Sequence, residues 1–271
     1  APPDTAEPEE SSPASLPVEI LDSAGRGELQ KVVKWLGKGG PVDALYSMQY
    51  DDGETAAFGL LGAAATNGQL EIVRELLKRG ASVDLPGSLG GTALMEAAYY
   101  GHPSTVLLLL QHSANSDLQD NYGQTALMKA AGKGQEACVQ ALLRVKANPD
   151  LRDDRGLTAL IMAAQSGHPS IILLLLQHSA NPDLQSIEGD TALMYAASKG
   201  QEACVQALVR AKANTELLND NGNTALQHAE YQGHTTTAEL IRQHAAPPQP
   251  VTTSPTAPPD AGETAVSSPA L

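Results

Sequence analysis

Residues 120–134 read DNYGQTALMKAAGKG, and close variants of this stretch recur along the chain at one fixed spacing. The tripeptide Thr-Ala-Leu begins five times, each time 33 residues after the last, at Thr92, Thr125, Thr158, Thr191 and Thr224. A glycine precedes each of these threonines by two residues, and a second glycine follows nine residues after it. A fixed period of this size indicates stacked supersecondary units, none of which can bury its own apolar face.

One such unit can be interpreted from its local chemistry. Residues 120–124 are a polar turn cluster whose glycine supplies a positive φ. Thr125 is a good N-cap for a short helix over 126–133, and Gly134 can end that helix. A second, apolar helix follows and stops near the Ala-Asn-Pro sequence at 147–149. Each unit is therefore predicted to be a turn followed by two helices.

A pair of small residues in the first helix is predicted to let neighbouring units approach closely. In the middle units the pair is alanine, as at Ala130 and Ala131. In the last unit the second member becomes Glu230, and in the first unit Ser23 replaces the first member. These polar replacements predict that the two end units cap the stack.

The five units together resemble the ankyrin repeat, whose pattern is Gly-x-Thr-Pro-Leu-His-x-Ala-Ala-x-x-Gly-His followed by an apolar second helix. The matching units cover residues 85–246, and two degenerate helix pairs precede them, around 59–80 and 18–37. The resemblance implies an all-α solenoid of about seven stacked helix-turn-helix units with hairpin-like turns. The first two units are 41 residues apart instead of 33, so we expect the surplus to form an extended loop over 44–57 that projects as a longer finger.

The chain departs from the ankyrin pattern at three positions of the unit. Alanine replaces the proline in all five copies, which removes some of the preset φ at the first helical position. The family's histidine, which forms hydrogen bonds in the turns, is replaced by Met95, Met128, Ile161, Met194 and Gln227. The glycine that usually ends the second helix is replaced by Ser113, Lys146, Ser179 and Lys212. A left-handed conformation there would cost each residue about 1 kcal/mol relative to glycine.

A longer period of 66 residues overlies the shorter one. Residues 101–119 and 167–185 agree at 16 of 19 positions, and residues 134–148 and 200–214 agree at 13 of 15. The array therefore alternates two types of unit, which indicates tandem duplication of a pair.

Proline separates the ends of the chain from its middle. Five of the 18 prolines lie in residues 1–17 and seven in 247–271, and neither segment contains lysine or arginine. Both are predicted to be disordered linkers, because they cannot bury enough apolar surface to offset the entropy of ordering. They hold six of the 31 acidic residues, which leaves 25 acidic and 17 basic residues, a net charge of −8, on the predicted ankyrin-repeat domain at 18–246.

The two linkers also resemble each other. With Ala1 aligned on Ala257, nine of 15 positions agree without gaps. Shared low-complexity composition is one explanation of this match. The other is that the chain is one period of a longer array.

The composition and the motifs argue against most classes of chemistry. The net charge of −14 disfavours nucleic acid as a partner, and the longest apolar runs are far shorter than the ~20 residues that cross a bilayer. Equivalent histidines recur two units apart, as do Cys138 and Cys204. That separation is about 20 Å if stacked helices lie about 10 Å apart, too far to share a metal ion or to form a disulfide bond.

The sequence also lacks a phosphate-binding glycine loop, and residues 51–54 offer too few ligands for calcium. We therefore expect no enzyme activity, no cofactor, no metal, no nucleic-acid partner and no membrane insertion. Two cysteines do not indicate an oxidising compartment, so we expect an intracellular, cytoplasmic protein, with the nucleus as an alternative.

The remaining candidate for function is a surface. Ankyrin-repeat proteins bind partner proteins on the concave side that turn tips and first helices form, and the resemblance assigns this role to nineteen positions. They are Leu89, Tyr99, Tyr100, Tyr122, Gln124, Lys129, Lys133, Arg155, Leu157, Met162, Gln165, Ile187, Glu188, Tyr195, Lys199, Asn221, Asn223, His228 and Tyr231. Five of the nine aromatic residues fall in this set, and tyrosine is enriched at interfaces, so we expect Tyr99, Tyr100 and Tyr122 to form the anchor.

The sequence thus predicts a non-enzymatic scaffold that binds a partner protein on its concave face. The nineteen residues vary between units of nearly identical framework, which fits a binding surface but also fits drift on a solvated face. Two alternative functions remain open. One is a structural spacer in a longer array of ankyrin solenoids, and the other is the non-catalytic part of a larger protein.

Overall fold

The computed structural model describes residues 15–49 and 55–245, which form fourteen α-helices in seven consecutive pairs. The helices are α1 Val18–Arg26, α2 Leu29–Gly37, α3 Leu60–Thr66, α4 Leu70–Lys78, α5 Ala93–Tyr100, α6 Pro103–Gln111, α7 Ala126–Gly132, α8 Glu136–Arg144, α9 Ala159–Ser166, α10 Pro169–Gln177, α11 Ala192–Ser198, α12 Glu202–Arg210, α13 Ala225–Tyr231 and α14 Thr235–His244. The all-α solenoid expected from the sequence is confirmed. The linkers expected at 1–17 and 247–271 lie outside the described residues, apart from positions 15–17.

The helices pack in two parallel rows. The first helices of adjacent units contact one another, and so do the second helices, while the two helices of each unit join the rows. Because every inner unit shares two faces with its neighbours, the buried side chains form one continuous core along the array.

Alanine holds the row of first helices together. The small pair of each middle unit has no exposed surface, at Ala97, Ala98, Ala130, Ala131, Ala163, Ala164, Ala196 and Ala197. Small side chains allow helix backbones to approach closely. A larger side chain at these positions would therefore separate two units.

Threonine caps the first helices, and methionine replaces part of the hydrogen bonding that the ankyrin histidine provides. Thr125 Oγ1 accepts from Met128 N–H at 3.2 Å, and Met128 Sδ accepts from Thr125 N–H at 3.4 Å. Thr191 and Met194 repeat this reciprocal arrangement, and Gln227 supplies an amide oxygen in the last unit. A thioether sulfur is a weak acceptor, so these turns keep the bond in a weaker form.

A ladder of hydrogen bonds fixes the register between units on the side of the second helices. The carboxylate of Asp84 accepts from the backbone N–H of Asn115 in the next unit at 3.1 Å. The same bond recurs in the pairs Asp117 and Asn148, Asp150 and Asn181, and Asp183 and Asn214. Bonds to a charged acceptor are stronger than neutral ones, so the ladder opposes sliding of one unit over the next.

Four of the second helices, α6, α8, α10 and α12, are followed by a residue in the left-handed conformation, for which the sequence predicts an energetic cost. Ser113, Lys146, Ser179 and Lys212 have φ between 63° and 65°. All four are exposed, so their side chains do not offset the strain by packing.

The surplus residues between the first two units form two strands rather than a plain loop. The strands β1, Leu45–Gln49, and β2, Thr55–Gly59, pair antiparallel, with Leu45 opposite Gly59. The residues that join them, 50–54, lie outside the described part of the chain. Ala57 N–H donates to Ser88 Oγ at 2.6 Å, which ties β2 to the turn of the next unit.

The polar side chains that replace alanine at the two ends of the stack have different environments. Glu230 is exposed and pairs with Arg242, as expected of a helix with no further unit beside it. Ser23 is instead buried, and its hydroxyl lies 2.7 Å from Glu19 O and 2.9 Å from Glu28 Oε2. In the first unit the polar side chain is therefore hydrogen-bonded within the unit, and in the last unit it is exposed to water.

The alanine packing yields a first prediction. The Ala131→Glu variant should lose roughly 3–5 kcal/mol of unfolding free energy, because it places an unpaired carboxylate between two helices. Thermal and urea denaturation followed by circular dichroism measure this loss. The matched control is Glu230→Ala at the equivalent position of the last unit, which should change the stability little, and an unchanged melting temperature of Ala131→Glu would refute the account.

The left-handed helix ends yield a second prediction. Lys146→Gly and Lys212→Gly should each raise the unfolding free energy by about 1 kcal/mol, since glycine adopts a positive φ without steric cost. Urea denaturation of each variant measures the gain. Lys199→Gly is the control, because Lys199 is equally exposed but has a φ of −96° and should show no gain. A gain in the control equal to that in the two variants would rule out the conformational explanation.

Candidate protein-binding surface

Five turn segments precede the first helices of the last five units, and we call them fingers 3 to 7: residues 85–92, 118–125, 151–158, 184–191 and 217–224. Backbone hydrogen bonds of 2.8 to 3.1 Å join the tip of each finger to the next. Their donor and acceptor residues are Asn121 and Leu89, Asp154 and Tyr122, Ile187 and Arg155, and Asp220 and Glu188. The finger tips are therefore held in one row, spaced by one unit.

A buried polar residue shapes each of fingers 4 to 7. Asp120 is the example in finger 4, where its Oδ1 accepts from Tyr122 N–H at 3.0 Å and from Gln124 N–H at 2.9 Å. Its equivalents are Asp153, Ser186 and Asn219, all buried. Because these bonds fix the finger backbone from inside, the tip side chains are free to vary.

The first helices present one residue per unit to the fingers, the fourth after the capping threonine. We call this set the inner column: Glu96, Lys129, Met162, Tyr195 and His228. Three members contact the buried polar residue of their own finger. Lys129 Nζ lies 2.7 Å from Asp120 Oδ2, and His228 Nε2 lies 3.1 Å from Asn219 Nδ2.

Tyr195 is the third of these members. Burial raises the pKa of its hydroxyl, and a hydrogen bond with Ser186 acts against that shift. Lys129, Tyr195 and His228 thus stabilise their own fingers and are half-buried beside them.

The prediction of nineteen surface residues is wrong for two of them, Leu157 and Met162. Leu157 is 2% exposed and Met162 is 7% exposed. Leu157 N–H is bonded to the buried Asp153 at 2.7 Å, and both side chains belong to the continuous core. Neither side chain can be offered to a partner.

The other predicted residues are exposed or half-buried. The exposed ones are Leu89, Tyr100, Tyr122, Lys133, Arg155, Gln165, Ile187, Glu188, Lys199, Asn221 and Tyr231. The half-buried ones are Tyr99, Gln124, Lys129, Tyr195, Asn223 and His228.

The structure brings together only two of the three tyrosines expected to form an anchor. The rings of Tyr99 and Tyr100 meet edge to face, with centroids 4.9 Å apart, and Lys133 Nζ lies 4.6 Å from the centroid of Tyr99. Tyr122 occupies a finger tip instead, and no ring contact joins it to this pair within the described residues. The three tyrosines therefore lie at two separate positions on the surface.

A cavity of about 520 Å³ lies between β2, α3, α5 and finger 3. Phe58, Leu89 and Tyr100, all large and partly exposed, lie along it, and the carboxylate of Glu96 faces the same space. Burial raises the pKa of Glu96, the Asp120 carboxylate adds to the shift, and Lys129 and a hydrogen bond with Thr66 oppose it. The sequence interpretation missed Glu96, although four of its inner-column equivalents were predicted.

The described part of the chain also bears on metal binding, membrane insertion and thiol chemistry. Within residues 15–49 and 55–245, no three His, Cys, Asp or Glu side chains are grouped so that they could hold a metal ion. None of the helices described has the length and apolar character needed to cross a membrane. Cys138 and Cys204 are buried free thiols, and burial raises the pKa of each to about 11, which makes them poor nucleophiles.

The raised pKa of Glu96 yields a third prediction. Its ionised form is disfavoured in the folded state, so stability falls as the pH rises above the ordinary value of 4.5 and through the raised folded pKa. The Glu96→Gln variant should therefore melt at a higher temperature than the wild type at pH 7, and this difference should vanish below pH 4.5. Calorimetry at several pH values measures it. A variant less stable than the wild type at pH 7 would contradict the account.

Comparison with known proteins agrees with this architecture. The family model described as ankyrin repeats matches the chain in three copies, over residues 22–120, 94–186 and 160–251. A search of curated proteins found no match. The matched residues span most of the chain and contain nearly all of the described helices, so the chain belongs to the ankyrin-repeat family.

Proposed function

We propose that the chain is a non-enzymatic scaffold that binds a partner protein on the surface formed by the fingers and the inner-column residues other than Met162. Ankyrin repeats are in general protein-interaction modules. The proposal adds where on this chain the partner binds and which residues it contacts.

The row of finger tips is the observation that carries the proposal. Backbone bonds join the tips of all five fingers, and buried polar residues fix the backbone of fingers 4 to 7, yet the tips carry Leu89, Tyr122, Arg155 and Ile187. Large apolar side chains exposed on a rigid framework add contact area with little loss of conformational entropy on binding. Such a row supports recognition of an extended or helical segment that runs along the stack.

Charge supports a partner that is basic rather than acidic. The ankyrin-repeat domain carries a net charge of −8, from 25 acidic and 17 basic residues, and electrostatic attraction speeds association of opposite charges. We therefore expect association to slow as the salt concentration rises.

The proposal predicts that Tyr100 and Tyr122 matter to any natural partner. Affinity capture with the full chain from a cell lysate, followed by mass spectrometry, identifies candidate partners. Changing both tyrosines to alanine should weaken the binding of a true partner at least about tenfold, because buried interface tyrosines are frequent hot spots.

The matched control changes two exposed apolar residues on the second helices, Leu107→Ala and Leu173→Ala, which lie outside the proposed surface. Captured proteins should remain bound to this control. Equal capture by the tyrosine variant and the wild type would refute the proposed surface, and no specific capture by the wild type would favour the structural spacer.

A further inference from the structure

Three of the five fingers share a side-chain contact that finger 3 lacks. In fingers 4, 6 and 7, a buried polar side chain meets the inner-column residue nine positions later, as Asp120 meets Lys129. The equivalent position of finger 3 is Gly87, and its inner-column residue is Glu96. Gly87 N–H donates to Gly91 O at 2.8 Å, just as Asp120 N–H donates to Gln124 O at 3.0 Å, so the two positions are equivalent in the backbone as well.

Glycine therefore leaves the carboxylate of Glu96 without the finger side chain that its equivalents have. Gly87, Gly91 and Glu96 all line the 520 Å³ cavity, and a Cβ atom added at Gly87 would lie 3.1 Å from Ala57 O on the β2 side of it. A Cβ atom added at Gly91 would lie 3.2 Å from Glu96 Oε1, so the second glycine also keeps the carboxylate accessible.

The charges around the cavity are not balanced within it. Lys129 is the cation whose charge acts on Glu96, but its Nζ is held 2.7 Å from Asp120, and the Asp120 carboxylate acts on Glu96 with the opposite sign. Among the ion pairs of the described residues none includes Glu96, whose carboxylate has a hydrogen bond with the neutral Thr66. A half-buried carboxylate without a paired cation favours a positively charged ligand, because pairing offsets the cost of its desolvation.

We propose that this cavity binds an arginine side chain of the partner protein, with the guanidinium on Glu96 and the flanking partner residues on Phe58, Leu89 and Tyr100. The inference rests on the proposed function and names the chemistry of one contact. The partner's guanidinium would form an ion pair with Glu96 in unit 3, as Lys129 does with Asp120 within unit 4.

Arginine fits the cavity better than lysine does. Its planar guanidinium forms paired hydrogen bonds with a carboxylate and stacks on aromatic rings, and it is less strongly hydrated than an ammonium group. Phe58 and Tyr100 supply aromatic rings along the cavity, and Leu89 adds an apolar side chain at the finger tip.

The test uses the full chain and a small probe, the tripeptide acetyl-Leu-Arg-Leu-amide, with acetyl-Leu-citrulline-Leu-amide as its neutral match. Amide chemical shifts in ¹H–¹⁵N NMR spectra report where each peptide binds. The arginine peptide should shift the signals of Gly87, Gly91 and Glu96 in a saturable way, and the citrulline peptide should bind at least tenfold more weakly. Equal shifts from both peptides, or no shifts at these residues, would overturn the inference.

Two variants distinguish an effect of the Glu96 carboxylate on peptide binding from an effect of a general change in the fold. Glu96→Gln should weaken the arginine peptide at least tenfold, while Glu136→Gln, an exposed acid on α8, should bind it as the wild type does. Melting curves show that both variants are folded. Undiminished binding to Glu96→Gln would reject the inference.

Failure of this inference can be distinguished from failure of the proposed function. If the peptide does not bind but natural partners still depend on Tyr100 and Tyr122, the scaffold stands and the arginine contact is wrong. If capture of natural partners does not depend on those tyrosines, the proposed surface itself is wrong.

Discussion

The structure depends on the close approach of neighbouring first helices, which the fully buried alanine pairs permit. Each unit is too small to bury its own apolar face, so its stability comes from the two faces it shares with its neighbours. The spacing that alanine sets is also the spacing at which the Asp–Asn ladder and the finger-tip bonds can form. One packing constraint thus fixes both rows of helices and the row of fingers beside them.

The proposed function rests on the same constraint. Hydrogen bonds and buried residues such as Asp120 fix the finger backbones, and the proposed contacts with a partner come from the side chains at the tips. Finger 3 departs from this scheme, since Gly87 provides no internal side chain and the carboxylate of Glu96 lines a cavity beside it. The irregular β1–β2 segment, joined to the same finger through Ser88, forms the other wall of that cavity.

The repeat in the sequence was sufficient to predict the fold, because Thr-Ala-Leu and its flanking glycines fix the caps and ends of the helices. The strands β1 and β2 were not predicted, since residues 44–57 match no part of the repeat and their pairing depends on contact with the next unit. On the surface, a repeat position does not by itself decide whether a side chain is exposed. Leu157 and Met162 occupy variable positions and are buried, whereas the equally apolar Leu89 and Ile187 are exposed at finger tips.

Glu96 was overlooked for a related reason. Its proposed role depends on the absence of a side chain at Gly87 and on the cavity that both residues line, and neither can be recognised from the repeat pattern.

The central claim is that each unit is stabilised by its immediate neighbours alone, and deletion of residues 134–199 tests it most directly. The deletion removes one 66-residue period and joins Lys133 to Gly200, so that near-identical helices meet at the new junction. The account predicts a folded chain whose denaturant m-value falls by about two-sevenths, because two of seven units are removed. A deleted chain that has lost its helical circular dichroism signal would show instead that the whole core folds as one globular unit, and would contradict the account.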